Sequence, residues 1–132
     1  MKIEARFTTV PGTQAAEGRT GEHAVVVDRP LGVAGGRGLG LNGGQLLALA
    51  IGGCLSNDVR YVAAHQSVEV DDVAVDVSVE IEDARVASAS VTIGVMAAPG
   101  VDTAVLVNWA VEVSTVLAAV RSGFPVDVTL NP

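Results

Sequence analysis

The sequence specifies an α+β fold of antiparallel strands and two helices, and three observations say so. The first is a pair of long alternating apolar segments around a tight polar turn, Val73 to Ile81 and Val86 to Val95. The second is an apolar stretch of helical length that begins after a glycine-dominated segment and carries the only cysteine, Cys54. The third is the order of elements: strands, helix, strands, helix, strand. Runs of antiparallel strands between helices belong to α+β folds rather than to doubly wound parallel sheets.

Lys2 to Val10 alternates loosely and stops at Pro11-Gly12, which predicts a first strand. Thr13 to Gly21 is small and polar and reads as a turn or loop. His23 to Asp28, with Ala24-Val25-Val26-Val27 inside it, predicts a second strand ended by Arg29-Pro30. From Leu31 to Gly44 glycine dominates, allowing backbone angles and close approaches closed to other residues.

Asn42 is placed to cap a helix from about Gly43 to His65. Its apolar residues cover most of the circumference, so the pattern predicts a helix buried all round. One small sheet covers only one side, which points to a homodimer whose second copy covers the other. Gly52 and Gly53 weaken the helix by roughly 1 kcal/mol each, a cost consistent with close approach of another backbone beside Cys54.

The alternating pair, turning at Glu82-Asp83-Ala84-Arg85, reads as a long antiparallel hairpin. Asp102 is expected to cap a second helix running to about Ser122 and closed by Gly123. Pro125 to Leu130 is expected to form a last short strand. Residues 1–132 contain no repeat and no long linker, so a single domain is expected.

Composition narrows the function. Aromatics are only 3% of the chain, so valine and alanine must build the core. The net charge of −7, without Lys/Arg clusters, argues against a nucleic-acid partner. A lone cysteine makes no internal disulfide, and the N-terminus lacks a signal-peptide apolar core. The stretch from Leu46 to Leu55 is too short to span a bilayer, so no membrane is expected and the chain reads as cytoplasmic.

Gly38-x-Gly40-x-x-Gly43 spells a dinucleotide-type motif. It follows the preceding strand only after about ten residues, and the position about twenty residues on lies inside the helix. A nucleotide is therefore not expected. His23 and His65 form no ligand spacing with Cys54, so neither a metal nor another cofactor is expected. A free cysteine often serves as a small buried hydrophobe. Cys54 lies about three turns into its helix, so a reactive role needs a nearby cation, and the loops offer Arg19, Arg29 and Arg37.

His23-x4-Asp28-Arg29-Pro30, Gly35-Gly36, Gly38-x-Gly40 and Asn42-x-x-Gln45-Leu46-Leu47-Ala48-x-Ala50-x-Gly52-Gly53-Cys54 together resemble the OsmC/Ohr superfamily of osmotically inducible and organic-hydroperoxide-resistance proteins. The resemblance implies an intertwined homodimer with two central helices and active sites at the subunit interface. It implies that Cys54 attacks the peroxide and that an early-loop arginine, Arg19 first and Arg37 second, steadies the thiolate. Two departures are visible. Asn42-Gly43-Gly44 stands where the family's hydroperoxidases have Asn-Pro-Glu, so Gly44 replaces the glutamate that holds the arginine. Val111-Glu112-Val113-Ser114 stands where they have Cys-Pro-x-Ser, so Val111 replaces the resolving cysteine. Two readings stay open. One is a one-cysteine thiol peroxidase for small organic hydroperoxides that uses an external thiol reductant. The other is a catalytically degraded homodimer that binds a small apolar ligand at the subunit interface.

Overall fold

The computed structural model describes residues 1–131. The chain is α+β with two antiparallel sheets, in agreement with the sequence expectation, and it divides into two compact units whose boundary, Leu47/Ala48, falls within the long helix.

The first unit holds a three-stranded meander of β1 (Arg6–Thr9), β2 (Ala16–Thr20) and β3 (His23–Val27), in the order β1-β2-β3. β2 corrects the sequence reading, which left residues 13–21 as a turn or loop. Ala16-Glu17-Gly18-Arg19-Thr20 has no apolar alternation, but it lies between two strands that pair with it along its whole length. Ladder hydrogen bonds on both sides, rather than a buried face, hold it as a strand. Phe7 is the register partner of Gly18, and its ring occupies the space a side chain at 18 would need.

The long helix α1 spans Gly43–His65 as its pattern predicts. Asn42 Oδ1 accepts the Gln45 N–H at 2.9 Å, and Gln45 Oε1 accepts the Asn42 N–H at 2.9 Å. This reciprocal capping box satisfies two donors at the helix start. At 23 residues α1 is long and apolar enough to cross a membrane by length and composition, unlike the shorter stretch the sequence suggested. Core helices share those properties.

In the second unit β4 (Val70–Glu82) and β5 (Arg85–Ala97) form the expected hairpin. Asp83 and Ala84 both have positive φ, 50° and 60°, the two left-handed residues a tight hairpin turn requires. Val73, Val75 and Val77 pair with Val95, Ile93 and Val91 on the half-buried face. Gly52 of α1 lies against this face, where a Cβ would sit 3.1 Å from Val77 Cγ2. Val59, Val62 and Ala63 of α1 pack with Val70, Leu106 and Ala110 as the core. Each large aliphatic side chain buried in this way contributes roughly 1.5–3 kcal/mol.

Two further sequence expectations need correction. The second helix is two: α2 (Thr103–Val113) and α3 (Thr115–Ser122), bent by 56°. Asp102 caps α2 and Gly123 closes α3 as expected, but Ser114 interrupts the run and caps α3 through its side chain. Residues 125–130 take neither helix nor strand, because neither sheet supplies them a paired neighbour in this chain. Within one chain α1 buries Ile51, Leu55, Asp58, Val59, Val62 and Ala63. Leu49 and Tyr61 are 58% and 71% exposed.

Candidate active site

Cys54 is half-buried in the middle of α1. Its thiol donates to Asp58 Oδ2, one helical turn on, at 3.4 Å. Its sulfur accepts from the Ser114 hydroxyl at 3.6 Å. Ser114 is held in turn, since its Oγ accepts the Leu117 N–H at 3.3 Å as the cap of α3. Both polar neighbours are buried, Asp58 at 9% and Ser114 at 1% exposure. The bend between α2 and α3 is therefore what brings a hydroxyl to the thiol.

Asp58 and Ser114 are the site residues that sequence reasoning missed. The signal for Asp58 was the i, i+4 spacing from Cys54, which puts two side chains on one helix face. The signal for Ser114 was a serine inside a β-branched apolar run, a residue that favours helix caps over helix interiors. Val111 is half-buried one turn before Ser114 on α2.

The candidate arginines Arg19, Arg29 and Arg37 belong to the first unit. Arg19 lies on β2 rather than in a loop, and its Nε donates to Glu17 Oε1 at 2.6 Å. Glu17 is thus a carboxylate that holds this guanidinium although Gly44 cannot. Arg37 contributes its backbone: its N–H donates to Asp28 Oδ2 at 3.0 Å.

Asp28 organises the glycine-rich segment. Besides Arg37, its Oδ2 accepts the Leu39 N–H at 3.1 Å, while Oδ1 accepts the Arg29 N–H at 2.8 Å and Arg29 Nη2 at 2.9 Å. The Leu39 N–H above all, with the Arg37 and Arg29 donors, holds the Asp28 carboxyl below its ordinary value of 3.8, outweighing the burial that raises it. Arg29 Nη2 also donates to the Gln14 carbonyl at 2.6 Å, and Arg29 Nε is buried with no partner. Beside it lies an open cleft of about 410 Å³, walled mainly by Phe7, Ala16, Val27, Leu41 and Leu46.

Among the described residues, no group of three or more His, Cys, Asp or Glu is placed to hold a metal. The cysteine cluster offers instead a thiol with a proton acceptor on one side and a neutral donor on the other.

Residues 35–129 match the family model for OsmC-like protein. The structure is similar to that of an OsmC-like protein from Mycoplasma pneumoniae, with a TM-score of 0.76 at 9% identity, over 93% of this chain and 89% of that one. It is also similar to an organic hydroperoxide resistance protein from Legionella pneumophila, with a TM-score of 0.61 at 21% identity, over 92% and 90%. The organic hydroperoxide resistance protein OhrB of Bacillus subtilis gives a TM-score of 0.60 at 23% identity, over 93% of each chain. At such identities these likenesses concern the fold. No curated protein matches the chain by sequence.

Proposed function

The chain belongs to the OsmC-like protein family, and from that premise we propose that it is an oxidative-stress protein of the organic hydroperoxide type, acting as a one-cysteine thiol peroxidase through Cys54. The observation that carries this reading is the polar setting of the sulfur. A cysteine kept only for packing sits among apolar side chains. Cys54 instead engages a buried carboxylate and a buried hydroxyl.

The chemistry is a two-electron oxidation. The sulfur forms an S–O bond with the outer peroxide oxygen, the O–O bond breaks, and an alcohol leaves. The resulting sulfenic acid has no second cysteine in the chain to condense with. An external thiol attacks it, releasing water and forming a mixed disulfide, and a second thiol releases Cys54. Arg19 is the first candidate for a cation serving the site, since Glu17 fixes its guanidinium, and Arg37 is the second. The protein acts as a cytoplasmic, single-domain homodimer. The half-exposed Leu49 and exposed Tyr61 on the open side of α1 support the dimer.

The test is treatment of the reduced protein with one equivalent of organic hydroperoxide, with a sulfenic-acid trap present, followed by intact mass measurement. Rapid trapping at Cys54 is expected. An unmodified Cys54 would sink the peroxidase reading.

The cleft beside Arg29 favours a second reading, in which the protein binds a small apolar ligand and Cys54 does no chemistry. Under that reading Cys54→Ala keeps full affinity for an apolar fluorescent probe, and hydroperoxide leaves the wild-type thiol intact.

A further inference from the structure

We propose that Asp58 is the proton carrier of the Cys54 reaction, taking the thiol proton as the sulfur attacks and returning it to the departing alkoxide. The proposal rests on the peroxidase reading given above and adds to it the residue that moves the proton.

The hydrogen bonds around the sulfur run in one direction. The Leu117 N–H donates to Ser114 Oγ, the Ser114 hydroxyl donates to Cys54 Sγ, and the thiol donates to Asp58 Oδ2. Because Leu117 occupies a lone pair of Ser114, the hydroxyl proton is free to face the sulfur. The thiol proton then points at the carboxylate, at an S···O distance of 3.4 Å. No other route for that proton is built into the cluster.

Charge explains why a carrier is needed. The ion pairs among the described residues are Lys2–Glu4, Arg19–Glu17 and Arg29–Asp28, so Asp58 is in none of them. A free thiolate beside the Asp58 carboxylate would set two negative charges about 3.4 Å apart in a buried place. Transfer of the proton to Asp58 during attack avoids that state, because the cluster carries a single negative charge throughout. The Ser114 hydroxyl strengthens its bond as charge grows on sulfur.

The step balances. Cys54 Sγ loses its proton to Asp58 and bonds to the outer oxygen of the hydroperoxide, which keeps its own hydrogen. The O–O bond breaks, the sulfur is oxidised by two electrons to the sulfenic acid, and the peroxide is reduced. The alkoxide takes the proton back from Asp58, directly or through one water. Asp58 ends as the carboxylate it began as.

The experiment compares two reactions of the same thiol. Both reactions must take the proton off the thiol, but alkylation by iodoacetamide expels iodide, which needs no proton returned, whereas hydroperoxide expels an alkoxide, which does. Asp58→Asn keeps the side chain's size and is expected to slow hydroperoxide oxidation by roughly 100-fold, the scale of a lost acid–base group. Alkylation should fall by a smaller factor, because it loses only the acceptor of the thiol proton and not the donor to the leaving group. Asp58→Glu should recover part of the hydroperoxide rate. The wild-type oxidation should also slow in deuterated water by a larger factor than alkylation does, since it moves the proton twice, a measurement that needs no variant to fold. Equal losses in both reactions, an unaffected Asp58→Asn, or the absence of a solvent isotope difference would overturn the proposal and leave the peroxidase reading standing. A wild type inert to hydroperoxide would overturn both.

Discussion

The carbonyl of Val26 fills the space where a Cβ on Gly40 would have to be. The same carbonyl accepts the Leu41 N–H at 2.9 Å, and the Asp28 N–H donates to the Leu41 carbonyl at 3.1 Å, so the glycine-rich segment is bonded to the end of β3. A backbone carbonyl already held in a hydrogen bond cannot step aside. Gly40→Ala is therefore expected to cost about 1–3 kcal/mol, as overpacking does. Gly43→Ala, where a Cβ would meet nothing within 4 Å, should be close to neutral. Urea titration of the two variants against the wild type checks this, and equal stabilities would refute the contact.

Asp28 gives the fold an acid-sensitive element. Its folded-state pKa lies below the unfolded value of 3.8, with the Leu39 N–H as the largest cause. A group depressed in this way stabilises fully above its unfolded pKa, and that contribution is lost as pH falls through the folded value. Asp28→Asn should thus be less stable than the wild type near neutrality. The gap should narrow as pH is lowered below about 3.8. Thermal melts from pH 7 to pH 2 measure it, and a gap that stays constant with pH would contradict the assignment.

What the sequence made legible follows the strength of its periodic signals. The β4–β5 hairpin was plain because alternating valines and a polar turn agree with one another. The ends of α1 were plain because Asn42 and Gln45 cap it locally. β2 was hidden because a strand paired on both sides needs no apolar alternation, and Gly18 is there for the Phe7 ring rather than for a turn. The break at Ser114 was hidden because the β-branched run on either side of it suits one helix or none. Cys54 was legible as a candidate and Asp58 as its i, i+4 neighbour, while Ser114 comes to the sulfur across a 60-residue separation that no local pattern encodes.

Ser114 ties the fold to the site, and its loss should be felt in both. Ser114→Ala removes the cap of α3 and leaves the Leu117 N–H without its acceptor. A cost of about 1–2 kcal/mol is expected, typical of a lost cap at a buried position. Amide exchange should accelerate at Leu117 before it does in the core residues Val59 and Leu106. Unchanged protection at Leu117 would mean that the serine does not cap α3 in solution.

Gly53 tests the proposed dimer. It lies on the exposed side of α1, and a Cβ built there meets nothing within 4 Å. Within one chain Gly53→Ala can only help, by roughly 1 kcal/mol of helix propensity. A second copy brought close over this glycine reverses that advantage, because the added methyl keeps the two backbones apart. The expected outcome is a protein of undiminished helix content whose dimer dissociates at higher concentration than the wild type's, read by sedimentation velocity over a dilution series. A variant that dimerises as tightly as the wild type would place the contact between copies away from Gly53, and with it away from the neighbourhood of Cys54.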